Sequence, residues 1–130
     1  MTAYTPPTQD QLLAIRVNAG IEQLAKAERF AAAEADLVEA IVTGVGQFAA
    51  GEFAPLNRIG DLEGAKLENG PDGNFVRLPD GFKQAYDEYV AQGWNAIASP
   101  EEFGGQGLPF TLACNVLENL GSANMAVKLL

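Results

Sequence analysis

The densest cluster of chemically able residues in this chain is "SPEEFGGQG", Ser99 to Gly107. It sets two adjacent carboxylates, Glu101 and Glu102, beside three glycines in four residues. Paired carboxylates suggest acid/base work, and a glycine-rich turn suggests a phosphate cradle. Spacing argues against both. Adjacent residues of a helical turn point about 100° apart, so Glu101 and Glu102 read as solvated acids. A dinucleotide fingerprint needs G-x-G-x-x-G after a strand and at the mouth of a helix. Here the spacing is "GGQG", and no credible strand precedes it. A Walker loop needs Gly-Lys-Ser/Thr, which is absent. The local reading is a tight connector: Ser99 caps, Pro100 takes the first helical position, and Glu102 completes a capping box. Gly104 then stops the turn in the left-handed region, and Gly105 and Gly107 let the backbone bend or lie close to a neighbour.

Other reactive side chains are few. The chain has one cysteine, Cys114, and no histidine. A thiol nucleophile needs a base partner, and Cys/His zinc sites are excluded outright. Cys114 reads as a small buried hydrophobe. Glu118 reads as a solvated or ion-paired acid. No catalytic residue and no metal site is assigned.

Charge narrows the partners. Eight basic residues stand against 17 acidic ones, a net charge of -9. Without a basic cluster, nucleic acid is excluded as a partner and an anionic membrane surface is disfavoured. No window approaches the ~18 apolar residues of a membrane span. "MTAYTPPTQD" lacks the basic region and apolar run of a secretory signal. There is no disulfide framework, so a reducing compartment fits, and the cytoplasm is the expected location.

The elements that must position these residues are helices. Thr8 is a capping candidate, followed by an apolar side of Leu12, Leu13, Ile15 and Val17, and Gly20 breaks the pattern before a short helix over 21–26. The strongest helix spans about 34–54, with Leu37, Ile41, Val45, Phe48 and Ala49 at spacings of three and four, widened by Val38, Val42 and Phe53. Gly44 and Gly46 each cost about 1 kcal/mol there, which predicts close packing at both. Pro55 ends or kinks this helix. "PDGN", Pro71 to Asn74, predicts a turn between Lys66–Glu68 and Phe75–Leu78, which pair as a small hairpin. A third helix runs over about 80–92, with Phe82, Tyr86, Tyr89 and Val90 on its apolar side. A fourth opens at Pro109 with a stripe of Ala113, Val116, Leu117 and Leu120, and Gly121 caps its end. Ser122 caps a fifth. The fold class is all-α: an up-and-down-like bundle of four to five helices with a small irregular or hairpin insert at about residues 57–80. Residues 1–7 read as a flexible arm and 8–130 as one helical domain. The apolar "SANMAVKLL" ends without a cap, which is expected of a piece of a longer protein.

With the elements placed, "GWNAIASPEEFGGQGLP" resembles the N-terminal helical domain of the FAD-dependent acyl-CoA dehydrogenases. In that family a helix ends in Gly-Trp or Gly-Leu. A Pro-Glu-Glu-Phe/Tyr-Gly-Gly-x-Gly loop follows, then a helix carrying a Glu. Here these are Gly93-Trp94, Pro100 to Gly107, and Glu118 in "NVLENLGSANM". "FAPLNRIGDLEGAKLENG", Gly81-Phe82-Lys83 and Ser122 to Met125 resemble the longer bacterial branch, and the likeness runs from about Ala35 to Ala126. The resemblance implies an oxidoreductase of fatty acid metabolism. It abstracts the α-proton of an acyl thioester with a glutamate and passes the β-hydride to flavin N5. It also implies a middle β-domain and a C-terminal four-helix bundle, with FAD and substrate between the domains. The catalytic glutamate and most FAD contacts would follow Leu130. This chain alone is therefore expected to be inactive and to bind no FAD. Family position makes Ser122, Asn124, Met125 and Val127 candidates for a wall of the acyl and flavin pocket. Read as residues alone, Met125 and Val127 are equally core side chains and Ser122 a cap. The implied partners are acyl-CoA, electron-transfer flavoprotein and further copies of the chain in a homo-oligomer. The competing reading is a free-standing helical interaction or acyl-group-binding module without catalysis. A carrier-protein version of it would need an Asp-Ser-Leu phosphopantetheine site, which is absent.

Overall fold

The computed structural model describes residues 4–129; residues 1–3 of the expected arm and the last residue of the expected domain lie outside them. Helix α1 (Thr8–Leu13) runs on into a π turn at Ala14–Asn18. Its capping position falls on Pro7 rather than Thr8, with no side-chain cap. Leu12 and Ile15 are buried, whereas Leu13 and Val17, expected on the same side, are 63% and 68% exposed. The helix lies on the long helix Ala35–Phe48 by a narrow stripe, so only the positions facing that stripe leave water. Gly20 takes the left-handed conformation (φ 61°) and separates α2 (Ile21–Leu24), as its place in the sequence predicts.

The spine of the molecule begins at α3 (Ala35–Phe48). It continues through a π turn (Ala49–Phe53) and a 3-10 turn (Ala54–Leu56) into α4 (Asn57–Glu63). Pro55 therefore does not end the helical path. Its missing N–H falls where the regular hydrogen-bond ladder is already interrupted by the wide and then tight turns, so no α-helical bond is lost. The path stops at Gly64, with φ 62°. Asn57–Glu63, expected within the irregular insert, is helical, and the insert narrows to the chain between α4 and the helix that begins at Phe82. Both spine glycines meet the predicted close neighbours. A Cβ at Gly46 would come 2.8 Å from the Pro6 ring, and one at Gly44 would come 3.3 Å from the Trp94 indole.

The insert is an antiparallel hairpin of β1 (Lys66–Gly70) and β2 (Gly73–Arg77), paired from Lys66↔Arg77 to Gly70↔Gly73 across Pro71-Asp72. Helix α5 spans Phe82–Ala91, α6 spans Phe110–Ala123 and α7 spans Met125–Lys128. The core is the seam between α3 and α6. Val38, Val42 and Val45 are shut from solvent together with Leu112, Val116 and Leu120. Each such side chain contributes roughly 1.5–3 kcal/mol by leaving water. The expected class holds: a mainly helical bundle with a small hairpin insert. At the C-terminal end the stops move. Pro109 precedes α6 rather than opening it, and Gly121 lies inside that helix. The break is Asn124, with extended backbone (φ -161°, ψ 99°), and Asn124 rather than Ser122 caps α7 by accepting from the Val127 N–H.

Candidate functional site

Backbone bonding decides what the glycine loop can do. Ser99 does not cap the 3-10 turn Glu101–Phe103, so the expected capping box is not formed. The Ser99 carbonyl instead accepts from Gly107 N at 2.9 Å. Gly104 N donates to Glu101 O, Gly105 N to Pro100 O, and Gln106 N to Ala96 O. The Gln106 side chain also donates to Gly93 O at 3.1 Å. An alanine Cβ at Gly105 would collide with the Ser99 carbonyl, while Gly104 (φ 82°) stops the turn in the left-handed region as expected. The amides from Phe103 to Leu108, which include all the glycines of the loop, are already used inside it and do not form a phosphate cradle. The loop is a rigid connector that sets α6 against α5.

What the connector positions is an apolar groove of about 230 Å³ between α5, α6 and α7. Tyr86 and Tyr89 form one wall, Leu117 and Leu120 the other, with Phe53 beside them and Val127 and Lys128 at one end. The Phe53 and Tyr89 rings are 6.2 Å apart and tilted by 56°, within the centroid range over which aromatic pairs attract. Burial, then the neighbouring Tyr86, pushes the Tyr89 phenol above its ordinary pKa. A second hollow of about 430 Å³ shares Tyr89, Asn95 and Leu117 and reaches Trp94 and Phe110. Together they suit an extended apolar chain. Among the described residues, the groove lining contains one charged side chain, Lys128, and no carboxylate side chain that could act as a base.

Of the residues singled out from sequence, Val127 lines this groove. Asn124 lies behind it, fully buried; its Nδ2 donates to Phe53 O at 3.1 Å and its Oδ1 accepts from Val127 N. It ties the irregular part of the spine to the start of α7. Ser122 and Met125 are exposed and outside the groove lining. Cys114 is exposed, not buried as expected; it sits at the edge of the α6 stripe, facing a cleft beside α1. Glu118 accepts from Gln11 Nε2 at 3.1 Å. Sequence reading did not assign Tyr86, Tyr89 and Leu117 to a groove. Their signal was there, in apolar residues that extend the helical stripes beyond the width a core contact needs. It also passed over a polar cluster: Tyr4 Oη donates to Asn119 Oδ1, and Asn119 Nδ2 donates to Gln11 Oε1 and to Asn115 O. Asparagines four apart on an otherwise apolar face, Asn115 and Asn119, were the available sign.

Among the described residues, no group of three or more His, Cys, Asp or Glu is placed to hold a metal ion. No helix there is long and apolar enough to cross a membrane. The family model described as "Acyl-CoA dehydrogenase, N-terminal domain" matches residues 35–130. The 3-methylmercaptopropionyl-CoA dehydrogenase of Ruegeria pomeroyi is 37% identical over 126 residues, which cover 97% of this chain and 21% of that protein. A broad-specificity linear acyl-CoA dehydrogenase of Mycobacterium tuberculosis is 24% identical over 127 residues, 98% of this chain and 20% of that protein. The chain thus spans about a fifth of the length of the curated relatives it matches.

Proposed function

This chain belongs to the acyl-CoA dehydrogenase N-terminal domain family, and from that premise we propose that it is the helical domain of a larger FAD-dependent enzyme that introduces an α,β double bond into an acyl-CoA thioester. The observation that carries the reading is the apolar groove between α5, α6 and α7, which lies within the family match and suits the acyl chain. Val127 would touch that chain. Asn124 would hold α7 in place from behind. Ser122 and Met125 would face domains packed over α6 and α7.

FAD is a separate matter. When bound, it supplies the acceptor for the β-hydride. This chain's described residues do not fit it: the glycine-loop amides are used internally, and among those residues Lys128 is the only cation in the groove. The flavin and the catalytic base would belong to the middle and C-terminal domains, and the chain alone would neither bind FAD nor turn over substrate. The whole enzyme would be a cytoplasmic homo-oligomer that passes its electrons to an electron-transfer flavoprotein.

Reading the gene beyond the Leu130 codon tests this. An open frame encoding a β-domain and a helical bundle with a late glutamate is the expected result, together with a yellow product that dehydrogenates acyl-CoA. A stop codon at that point, or turnover by the 130-residue chain alone, overturns it. The stop codon would favour a helical acyl-binding module without catalysis.

A further inference from the structure

Lys128 is out of keeping with the groove it lines. Among the described residues, the other lining side chains are aromatic, aliphatic or neutral amide. Lys128 is half-buried, neither sunk in the core nor extended into solvent. Its stem is laid across α6 at Gly121. A Cβ at that glycine would stand 3.2 Å from Lys128 Cδ and 3.6 Å from its Nζ. Gly121 directly follows Leu120 and lies one turn on from Leu117, the two leucines of the groove wall. A lysine that only covers apolar surface carries its amine clear into water. Here the amine stays at the edge of the apolar wall. Among the described residues no carboxylate pairs with it; the ion pairs there join Arg16 to Glu39, Arg77 to Glu68 and Lys83 to Asp87. Glu118, three positions before Gly121 on α6, accepts from Gln11 instead.

An ammonium at the end of an apolar groove discriminates between the chains that lie along it. A plain hydrocarbon filling the groove would strip water from the amine and return no partner. A carboxylate at the far end of the chain would pair with it where water is scarce, and a second cation would be repelled. The Tyr86 and Tyr89 phenols and the Asn95 carboxamide add donors to the same lining. A ligand can reach all of them: Tyr86 and Asn95 are exposed, and Tyr89, like Lys128, is half-buried. A phosphate takes a free run of amides or several converging cations. The groove offers one cation among the described residues, and the glycine-loop amides are spent. The net charge of -9 opposes any anion at a distance. Charges more than about 10 Å apart are largely screened at physiological salt, so the contact charge decides. We propose that the groove takes an acyl chain with a carboxylate at its far end, the thioester of a dicarboxylic acid, and that Lys128 selects it; this rests on the reading of the groove as the acyl site.

The test titrates the isotope-labelled chain with ligands that differ only at the far end: N-methylhexanamide, the monomethylamide of adipic acid, and N-methyl-6-aminohexanamide. Their shared amide stands in for the thioester. Phosphopantetheine, added separately, asks whether the coenzyme's phosphate is the anion instead. The readouts are the Lys128 Hε and Tyr89 ring resonances. The carboxylate ligand is expected to move both and to bind about fivefold more tightly than the neutral one, as a half-exposed ion pair allows. The amine is expected to bind more weakly than the neutral ligand, and phosphopantetheine to leave Lys128 unmoved. In Lys128→Met the advantage of the carboxylate should vanish while the neutral ligand still moves Tyr89. Equal affinity for the carboxylate and neutral ligands, an advantage that survives in Lys128→Met, or a larger Lys128 shift with phosphopantetheine each overturns the proposal and leaves the acyl groove standing. If no ligand moves Tyr89, the acyl reading falls and the proposal falls with it.

Discussion

The loop of residues 93–109 and the hairpin of residues 66–77 look alike as strings: both are dense in glycine, proline and short polar residues. They are opposite as structures. The loop sends its amides back to Ala96, Ile97, Ser99 and Pro100 and buries Leu108 and Ile97 in the core. The hairpin bonds mainly to itself, with the cross-strand pair Leu67 and Val76 both exposed. Glycine density therefore marks where a chain is tight, and says nothing of whether it is tied down. The destination of the backbone N–H groups decides that.

The largest expected effect comes from breaking the loop. Gly105→Ala drives a Cβ into the Ser99 carbonyl, which is backbone and cannot swing aside. The expected loss is about 3 kcal/mol, at the upper end for overpacking, read from urea unfolding; a loss below about 1 kcal/mol would mean the loop can shift and is no better anchored than the hairpin.

A smaller effect is expected from alkali. Tyr89, packed beside the loop, and Tyr4, on the Asn119 cluster, both have raised pKa values, in each case chiefly from burial. The folded state keeps these protons when the unfolded state has lost them. Their contribution is thus fully present below the ordinary tyrosine pKa of about 10 and is lost as pH rises through the higher folded values. Urea midpoints should fall with rising pH above that point. Tyr89→Phe should flatten the slope, and replacing the hairpin by a short glycine link should leave it unchanged. A slope that follows the hairpin instead would break the contrast. The smallest effect is expected from Leu67→Thr: stability within about 0.5 kcal/mol of the parent, as for surface positions without special roles. A clear loss in the thermal midpoint would show that the hairpin is anchored after all.

Much of this was legible in the sequence. The 3.6-residue period located α3, α5 and α6, because a stripe that packs on one neighbour must recur at that spacing. Gly44 and Gly46 announced close approach, and "PDGN" announced the turn. What escaped had other causes. Periodicity cannot see that two irregular turns will carry a helix past Pro55, since the accommodation is made by the ladder and not by the side chains. Ser99 had the right spacing for a capping box, but the capping position falls on Pro100 and the Ser99 side chain makes no cap bond. Asn124 stops α6 because its carboxamide finds the Phe53 carbonyl, 71 positions away in the chain. The groove was out of reach for the same reason. Its lining comes from Phe53, α5, α6 and α7, and only the fold makes these neighbours.

The π turn at Ala49–Phe53 has a consequence for insertions and deletions. A π turn holds one residue more than an α turn, so all that follows is rotated by about 100° relative to an unbroken helix. Before it, the spine faces α1 and α6; after it, α4 faces α7, and Gly60 abuts Phe82. The rod behaves as a shaft keyed at two angles. A single-residue deletion between Ala49 and Phe53 would swing the second key by more than a quarter turn and uncouple α7, although no side chain in contact with α7 had changed. Length, more than composition, is what this stretch must conserve.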